Sequence, residues 1–297
     1  MKEVIYLRLL RPKDWAKNLF LYIPLFFSGE IFDTSKLMAL AGGFIAFCCI
    51  ASSIYIINDY RDMEDDRKHP EKKNRPLASG KVSPSAALII CGILILLGFG
   101  IAWPEGSRFF WLLGIYFVIN LAYSFGLKNI AILDIFIIAI GFNLRIRGGG
   151  AIAVVDVTIW MNIMVFLLAL FMAIGKRRDD VLLKLSSGVD MRKAVKGYTL
   201  DFLNTLLALV SAVMIVAYFM YTVSEKVIEK HNTERLYITA LFVMAGLMRY
   251  LQIIYVKSDS GSPTKILYKD RFIQVSILLW MISFYFLIYI KKFPFFL

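Results

Sequence analysis

The stretch Asn58–Gly80, NDYRDMEDDRKHPEKKNRPLASG, is dense in charge and directly follows a long apolar run. Side chains three, four and seven positions apart share one face of a helix. If the stretch begins as a helix, four oxygen-bearing side chains lie on one face: Asn58, Asp59, Asp62 and Asp66. Mg²⁺ takes oxygen ligands of this kind and is usually shared with the phosphates of a substrate. We therefore predict a magnesium site at the start of this stretch.

Positively charged side chains follow these acids along the same stretch. They are Arg67, Lys68, Lys72, Lys73 and Arg75. Lysine and arginine bind phosphate oxygens through charge-assisted hydrogen bonds. Carboxylates for a metal followed by cations for phosphate indicate a site for a magnesium-bound diphosphate. The alternative is a solvated, charge-balanced loop between two membrane spans, which gives no reason for the acids to share one helical face at the membrane boundary.

The composition places the chain in a membrane. Of its 297 residues, 59% are hydrophobic, and the mean hydropathy is +0.67. The apolar runs, of about 20 residues, are long enough to cross a bilayer, and a span in lipid must satisfy its own backbone hydrogen bonds. We therefore predict an all-α membrane protein. The cysteines Cys48, Cys49 and Cys91 lie inside apolar runs, and we interpret them as small buried apolar side chains.

The apolar runs predict about nine transmembrane helices. Their approximate ranges are 18–29, 36–57, 84–103, 107–125, 131–153, 156–175, 198–222, 234–255 and 271–290. Lysine and arginine are concentrated in 1–17, 58–84, 176–196 and 256–271, and loops rich in them remain on the cytoplasmic side. We therefore predict a cytoplasmic N-terminus and a single membrane domain over 1–297, in the plasma (inner) membrane. This asymmetry explains most of the net charge of +12, so we expect no nucleic-acid partner.

A second charged stretch, Gly175–Gly188, follows the sixth predicted span. Lys176, Arg177 and Asp180 lie on one side of a helix there. An anchor at the cytoplasmic surface explains the basic residues, but the acidic residue adds nothing to anchoring. We therefore predict that Asp180 is catalytic and that this stretch and the first one face a single cavity.

Two arginines lie inside the fifth predicted span or near its far end. Charges at membrane depth usually face a cavity, a partner or a substrate. Arg145 is either paired with a buried acid or directed at an anionic group, and we favour the anionic group; Arg147 is interpreted as structural. The glycines at 148–150 are interpreted as positions of close helix packing. Near the N-terminus, Lys17 and Asn18 either determine the topology or reach the mouth of the site.

The pattern Asn-Asp-x-x-Asp-x-x-x-Asp at 58–66, with a second acidic motif after the sixth span, resembles the UbiA-type intramembrane prenyltransferase superfamily. Further motifs are similar to its decaprenyl-phosphate phosphoribosyltransferase branch: Arg11-Pro12 with Trp15, Lys17 and Asn18; Arg75-Pro76; Tyr123 to Lys128; Leu144-Arg145 before Gly148; Gly175-Lys176-Arg177; and Tyr198-Thr199. The branch tends to have Glu at positions 134 and 180, where this chain has Asp. Lys72 stands where the aromatic-prenylating branch tends to have Thr.

The residues and the resemblance together define a candidate site. The candidate metal ligands are Asn58, Asp59, Asp62 and Asp66, and the candidate catalytic residues are Asp59, Asp62, Asp66 and Asp180. The candidate substrate-binding residues are Lys17, Arg61, Arg67, Lys72, Arg75, Tyr123, Lys128, Arg145, Lys176, Arg177 and Tyr198.

The resemblance implies transfer of 5-phosphoribose from phosphoribosyl diphosphate to a polyprenyl (decaprenyl) phosphate lipid, with Mg²⁺ as cofactor and diphosphate as product, at the cytoplasmic face. In bacteria with arabinan cell walls this reaction begins the supply of a lipid-linked arabinose donor. A homo-oligomer is compatible with this assignment. One alternative is a prenyltransferase that moves a polyprenyl group from its diphosphate to an aromatic or other small acceptor. Another is a transporter for an anionic solute. The position of the acids at the membrane boundary, instead of the midplane, argues against it.

Overall fold

The computed structural model describes residues 2–68, 72–187, 193–256 and 263–289, and every regular element in these ranges is helical. The helices are α1 (Lys2–Leu10), α2 (Ile23–Ser28), α3 (Thr34–Arg61), α4 (Met63–Lys68), α5 (Pro84–Ala102), α6 (Ser107–Ser124), α7 (Leu133–Ala153), α8 (Ile159–Ser187), α9 (Leu200–Thr222), α10 (Glu225–His231), α11 (Ala240–Tyr255), α12 (Pro263–Lys269) and α13 (Arg271–Tyr289). Short 3₁₀ segments lie at Pro12–Tyr22, Lys72–Asn74, Leu127–Asn129, Lys193–Gly197 and Arg235–Thr239. The predicted all-α class is confirmed.

Seven helices within the described ranges are long and apolar enough to cross a membrane. They lie at Thr34–Arg61, Pro84–Ala102, Leu133–Ala153, Ile159–Leu185, Leu200–Thr222, Arg235–Tyr255 and Arg271–Tyr289, and each coincides with a predicted span. The predicted span 18–29 is instead divided between a 3₁₀ segment and α2, because Pro24 lies in the first turn of α2 and lacks a backbone N–H. The predicted span 107–125 is the continuous helix α6. The cytoplasmic N-terminus stays a prediction.

The helices form two compact units. The first contains Met1–Lys128 and Ile140–Val157, and the second contains Asn129–Ala139 and Thr158–Leu297. The chain passes from the second unit to the first within α7. The predicted single domain over 1–297 stays a prediction.

Helix α3 is the centre of the first unit. It begins where the side chain of Asp33 accepts hydrogen bonds from two backbone N–H groups of its first turn, which otherwise have no partner. Its middle is buried against α5 and α6, and the ring centroid of Phe47 lies 5.8 Å from that of Phe109 and 5.2 Å from that of Tyr116. This apolar packing fixes the polar end of α3, where the charged motif begins.

Two glycines of α7 allow close packing in the first unit. A Cβ atom at Gly149 would lie 1.9 Å from the backbone oxygen of Leu21, and one at Gly148 would lie 3.2 Å from the ring of Phe47. Only glycine therefore permits the segment Pro12–Tyr22 to rest on α7 at this point. The structure supports the packing role predicted for these glycines.

Polar contacts join the helices of the second unit. The Tyr218 hydroxyl lies 2.7 Å from that of Thr239 and accepts a hydrogen bond from the Trp280 indole at 2.6 Å. Asp270 caps α13 by accepting from the backbone N–H of Ile273 at 3.1 Å, and it also binds Arg249. These contacts connect α9, α11 and α13 with one another.

Candidate active site

The charged motif is built on the end of α3 and on α4. Asp62 ends α3 with φ −89° and ψ 4°, and α4 starts at the next residue. The N–H of Asp62 still bonds to the carbonyl of Asn58 at 2.9 Å, and the N–H of Asp66 bonds to that of Asp62 at 2.7 Å. Helical hydrogen bonds thus continue on both sides of Asp62, and the helix expected over 58–66 is interrupted only by the backbone angles of Asp62 itself.

Asp59 and Asp66 share one positive group. Nη1 of Arg75 lies 2.9 Å from Oδ1 of Asp59 and 2.6 Å from Oδ2 of Asp66. Nη2 of Arg11 donates to the same Asp59 oxygen at 2.5 Å. The side chains of the two acids are only 3% and 5% exposed, so their charges depend on these partners. Two of the predicted metal ligands are thus brought together around a single guanidinium.

Asn58 and Asp62 share a different cation. Nζ of Lys128 lies 3.0 Å from Oδ1 of Asn58 and 2.6 and 2.7 Å from the two carboxylate oxygens of Asp62. The Asn58 amide also donates to Asp62 at 3.1 Å. The four predicted ligands are therefore held as two pairs, each around its own cation. Lys128, predicted to bind substrate, belongs to this cluster.

Burial changes the acidity of the cluster. It raises the pKa of Asp66 above its ordinary value, and the attraction of Arg75 and Lys72 offsets this only in part. Burial disfavours the charged form of Arg11, but the attraction of Asp59 outweighs it, so the pKa of Arg11 is raised. These shifts follow from desolvation and from opposite charges at short range. They also place Lys72 within electrostatic reach of Asp66.

Four other predicted substrate-binding residues of the first unit contact other groups or lie elsewhere. The guanidinium of Arg61 lies over the ring of Phe125 at 4.3 Å. Arg67 and Lys17 are exposed and form ion pairs with acids of their own helical turns. Tyr123 is half-buried near the end of α6. The structure gives none of these four a described contact with the carboxylates.

Arg145 is buried inside the first unit, with 5% of its surface exposed. Its Nε donates to Oδ1 of Asn18 at 2.8 Å, its Nη1 to the carbonyl of Gly141 at 2.9 Å, and its Nη2 to the hydroxyl of Tyr116 at 2.8 Å. These described partners are all neutral. Among the described residues, the structure therefore does not pair Arg145 with a buried acid, which was one of the two roles considered for it.

A second cluster joins four side chains of the second unit. Nε of Arg177 donates to Asp134 at 2.5 Å, and its Nη1 donates to Asp180 at 2.7 Å. The Tyr198 hydroxyl donates to Asp134 at 2.7 Å. The side chains of Arg177 and Asp134 are 1% and 0% exposed, whereas that of Asp180 is 16% exposed. Arg177 therefore fixes the direction of the more accessible Asp180, and the neighbouring Lys176 is exposed.

Tyr198 holds the start of α7 in place. Its hydroxyl accepts a hydrogen bond from the N–H of Ile132 at 2.6 Å, and Ile132 has a φ of 71°, a left-handed conformation that is costly for a β-branched residue. Burial and the bond to Asp134 raise the pKa of Tyr198 above its ordinary value. The hydroxyl therefore remains a hydrogen-bond donor.

Two members of these clusters were absent from the predicted site. Arg11 appeared only within the N-terminal motif, ahead of the first predicted span, with no assigned role. Asp134 is the single acid in the predicted span 131–153. An isolated acid in an apolar span requires a positive partner, and this signal identifies Asp134, whereas the contact of Arg11 requires the fold.

Three carboxylates meet three cations in the cluster of the first unit. They are Asp59, Asp62 and Asp66 against Arg11, Arg75 and Lys128. In the part of the chain that the structure describes, no three acidic, histidine or cysteine side chains are arranged to hold a metal ion. The carboxylates are instead bound by cations, which are themselves suited to phosphate oxygens.

Comparison with known proteins identifies relatives over nearly the whole chain. The UbiA prenyltransferase family matches residues 20–184. The chain is 33% identical over 285 residues to the decaprenyl-phosphate phosphoribosyltransferase of Mycolicibacterium smegmatis, covering 93% of this chain and 89% of that protein. It is 31% identical over 291 residues to the protein of the same name from Corynebacterium glutamicum, covering 96% and 86%.

A solved structure shares the fold. The structure of a UbiA homologue from Archaeoglobus fulgidus bound to GPP and Mg²⁺ matches with a TM-score of 0.72 and 22% identity, covering 96% of this chain and 99% of that one. The family match extends over more than half of the chain, and a family of transferases argues against the transporter alternative. The chain is therefore a multi-pass membrane transferase that belongs to the UbiA prenyltransferase family.

Proposed function

We propose that this chain transfers 5-phosphoribose from phosphoribosyl diphosphate to a polyprenyl phosphate and releases diphosphate at the cytoplasmic face of the membrane. The cluster in which Arg75 joins Asp59 and Asp66 while Lys128 binds Asp62 carries the diphosphate leaving group of this proposal. The names of two relatives that align over most of the chain support it. A decaprenyl acceptor and a place early in the synthesis of a lipid-linked arabinose donor belong to the same proposal.

The side chains of this cluster are of the chemical type that binds Mg²⁺, although cations hold them in the described arrangement. Three carboxylates and the amide of Asn58 supply the oxygen ligands that Mg²⁺ prefers. Oxygens of Asp59 and Asp66 lie 2.9 and 2.6 Å from a single nitrogen of Arg75, so they are close enough to share one positive centre. When bound, Mg²⁺ would neutralise negative charge on the departing diphosphate. The related protein from Archaeoglobus fulgidus was solved with Mg²⁺.

The charge balance indicates that metal and donor bind together. The described side chains of the cluster carry three negative and three positive charges. A metal ion alone adds two positive charges beside Arg11, Arg75 and Lys128, whereas a metal with diphosphate adds little net charge. The cations released from the carboxylates then bind phosphate oxygens.

The transfer itself needs little proton movement. An oxygen of the lipid phosphate forms a bond to the anomeric carbon of the ribose. The bond between that carbon and the diphosphate oxygen breaks, and its electron pair leaves on the diphosphate. The attacking oxygen is already ionised at neutral pH, so no base has to remove a proton. Positive charge that develops on the sugar is stabilised by nearby carboxylates.

We propose that Asp180 acts in catalysis and that Lys176 binds substrate. Asp180 is the accessible end of a network whose other charged members are buried. We assign Arg177 a positioning role, since Asp134 and Asp180 both bind its guanidinium. Tyr198 holds Asp134 in turn.

The proposed reaction is tested by product formation in detergent. Purified protein should convert phosphoribosyl diphosphate and a polyprenyl phosphate to phosphoribosyl lipid and diphosphate only when Mg²⁺ is present. Asp62→Ala should abolish turnover because the variant removes an oxygen ligand and the partner of Lys128. Asp65→Ala is the matched control, because Asp65 lies three residues after Asp62 and is exposed on α4. Equal activity of the two variants would contradict the assigned site.

The second candidate is transfer of a polyprenyl group from its diphosphate to a small acceptor. The structural neighbour from Archaeoglobus fulgidus bound to GPP favours it, because it shows a prenyl diphosphate on the same fold. Both reactions use a metal-bound diphosphate leaving group, so the carboxylate cluster serves either. The identity of the donor separates them.

A further inference from the structure

A buried positive charge remains unexplained by the carboxylate cluster. Arg145 lies near the middle of α7, a candidate membrane span of 21 residues, and is 5% exposed. Its described hydrogen-bond partners are an amide oxygen of Asn18, a peptide oxygen of Gly141 and the hydroxyl of Tyr116. A charge at membrane depth without an opposite charge is costly and is retained mainly where it serves a ligand or a partner.

Unused hydrogen-bond donors surround this charge. A guanidinium has five N–H groups, and Arg145 directs three of its bonds to described acceptors. The Tyr116 hydroxyl accepts from Arg145 at 2.8 Å, and among the described residues no acceptor takes its own hydrogen. Arg145 and Tyr116 are each only 5% exposed. Several donors and one net positive charge therefore converge without an acceptor that carries negative charge.

Aromatic rings compensate part of the charge. The guanidinium carbon of Arg145 lies 4.6 Å from the ring centroid of Tyr116, 5.5 Å from that of Phe142 and 5.6 Å from that of Phe47. Such contacts stabilise a cation through the ring quadrupole but leave the net charge unchanged. Phe47 and Tyr116 belong to the buried apolar core of the unit, so water screens the charge of Arg145 little.

The Tyr55 hydroxyl lies near charged groups of the first unit. It is 3.5 Å from Nζ of the exposed Lys17 and within electrostatic range of Arg145. Tyr55 stands on α3, four residues before Asp59, and the guanidinium of Arg11, which binds Asp59, lies 4.9 Å from the centroid of the Tyr55 ring. Tyr55 is therefore next to the carboxylate cluster.

We propose that Arg145 and Tyr116 form a binding site for a phosphate monoester, separate from the metal-bound diphosphate. The inference rests on the proposed function, because each of its substrates carries one such group: the head of the polyprenyl phosphate and the 5-phosphate of the donor. Arginine matches the planar arrangement of phosphate oxygens, and the Tyr116 hydroxyl supplies a further donor. The anion gives Arg145 the opposite charge that its protein partners lack.

Binding without turnover tests this site. Protein in detergent with EDTA is titrated with farnesyl phosphate, with farnesol and with ribose 5-phosphate, and heats of binding are recorded. Loss of one charge-assisted hydrogen bond should weaken phosphate binding roughly 10- to 100-fold. Arg145→Gln should show this loss, whereas Arg147→Gln, an exposed arginine of the same helix, should bind as the wild type does.

A second variant separates ligand binding from folding. Asn18→Asp places a carboxylate 2.8 Å from Nε of Arg145 in the wild-type geometry, and so supplies an internal opposite charge. It should keep or raise the unfolding temperature while it weakens phosphate binding by the same factor. Either of two results would overturn the site. One is undiminished phosphate binding in Asn18→Asp. The other is a wild-type protein that binds farnesyl phosphate and farnesol equally and does not bind ribose 5-phosphate.

The two phosphate arms identify the source of the ligand. A loss confined to farnesyl phosphate supports the site and assigns it to the lipid acceptor, and a loss confined to ribose 5-phosphate supports it and assigns it to the donor. These results do not depend on catalysis. Phosphate binding that responds to Arg145 in a protein unable to transfer phosphoribose would overturn the proposed reaction and keep the site.

Discussion

Replacing Asp134 by Asn tests the buried ion pair of the second unit. Asp134 is 0% exposed and binds Arg177, which is 1% exposed. The substitution keeps the shape but removes the negative charge, while the partly exposed Asp180 still pairs with Arg177. Removing one partner of a buried ion pair costs about 3–5 kcal/mol. Because Asp180 remains, we expect the lower end, about 3 kcal/mol.

The measurement is the free energy of unfolding in mixed micelles, titrated with dodecyl sulfate and followed by tryptophan fluorescence. Asp156→Asn is the control, since Asp156 is exposed, and it should change stability by less than about 0.5 kcal/mol. The double variant Asp134→Leu with Arg177→Met should recover most of the loss, because a buried pair replaced by apolar residues is often neutral. It should remain less active, since Asp180 loses its positioning partner. Equal stability of Asp134→Asn and the control would refute the buried pair.

Four other predictions follow from the structure and the proposed function. EDTA should abolish transfer and added Mg²⁺ should restore it; activity that persists in EDTA would contradict the metal requirement. Lys72→Thr should weaken donor binding roughly 10- to 100-fold with less effect on the acceptor. An unchanged KM for the donor would contradict a contact between Lys72 and the donor phosphate. Gly149→Ala, whose Cβ would lie 1.9 Å from a backbone oxygen, should lose about 1–3 kcal/mol, whereas Gly114→Ala, with open space around it, should lose none. An impermeant thiol reagent should label Glu234→Cys but not Ser79→Cys in intact cells, and the reverse would invert the topology.

The membrane class and the position of the charged motif could be predicted from the sequence. Apolar runs long enough to cross a bilayer located the seven helices of the described ranges that are long and apolar enough to span a membrane, because lipid demands continuous apolar surface. The first predicted span is divided near Pro24, because a hydropathy value does not report the missing backbone N–H of proline. Helical spacing predicted one group of four ligands, whereas the structure holds them as two pairs around different cations. It also gave no warning of the interruption at Asp62.

The partners of the charged residues could not be predicted in the same way. Arg75 follows Asp59 by 16 positions and Lys128 follows Asp62 by 66, and no sequence periodicity connects positions so far apart. Helical spacing on α8 predicted that Arg177 and Asp180 are neighbours, as observed. It could not predict that Arg177 also pairs with Asp134, which is more deeply buried than Asp180. Contacts across the fold therefore decide which cations face the carboxylates and which, like Arg61, lie on an aromatic ring.

The donor that the protein uses is the most direct test of the proposed function. Purified protein with Mg²⁺ would receive phosphoribosyl diphosphate, a polyprenyl phosphate, a polyprenyl diphosphate and an aromatic acid in one mixture, and the lipid products would be resolved by mass spectrometry. We predict phosphoribosyl polyprenyl phosphate, with diphosphate released in equal amount, and no prenylated aromatic acid. A prenylated aromatic acid without phosphoribosyl lipid would contradict the proposed phosphoribosyl transfer and establish the polyprenyl donor instead.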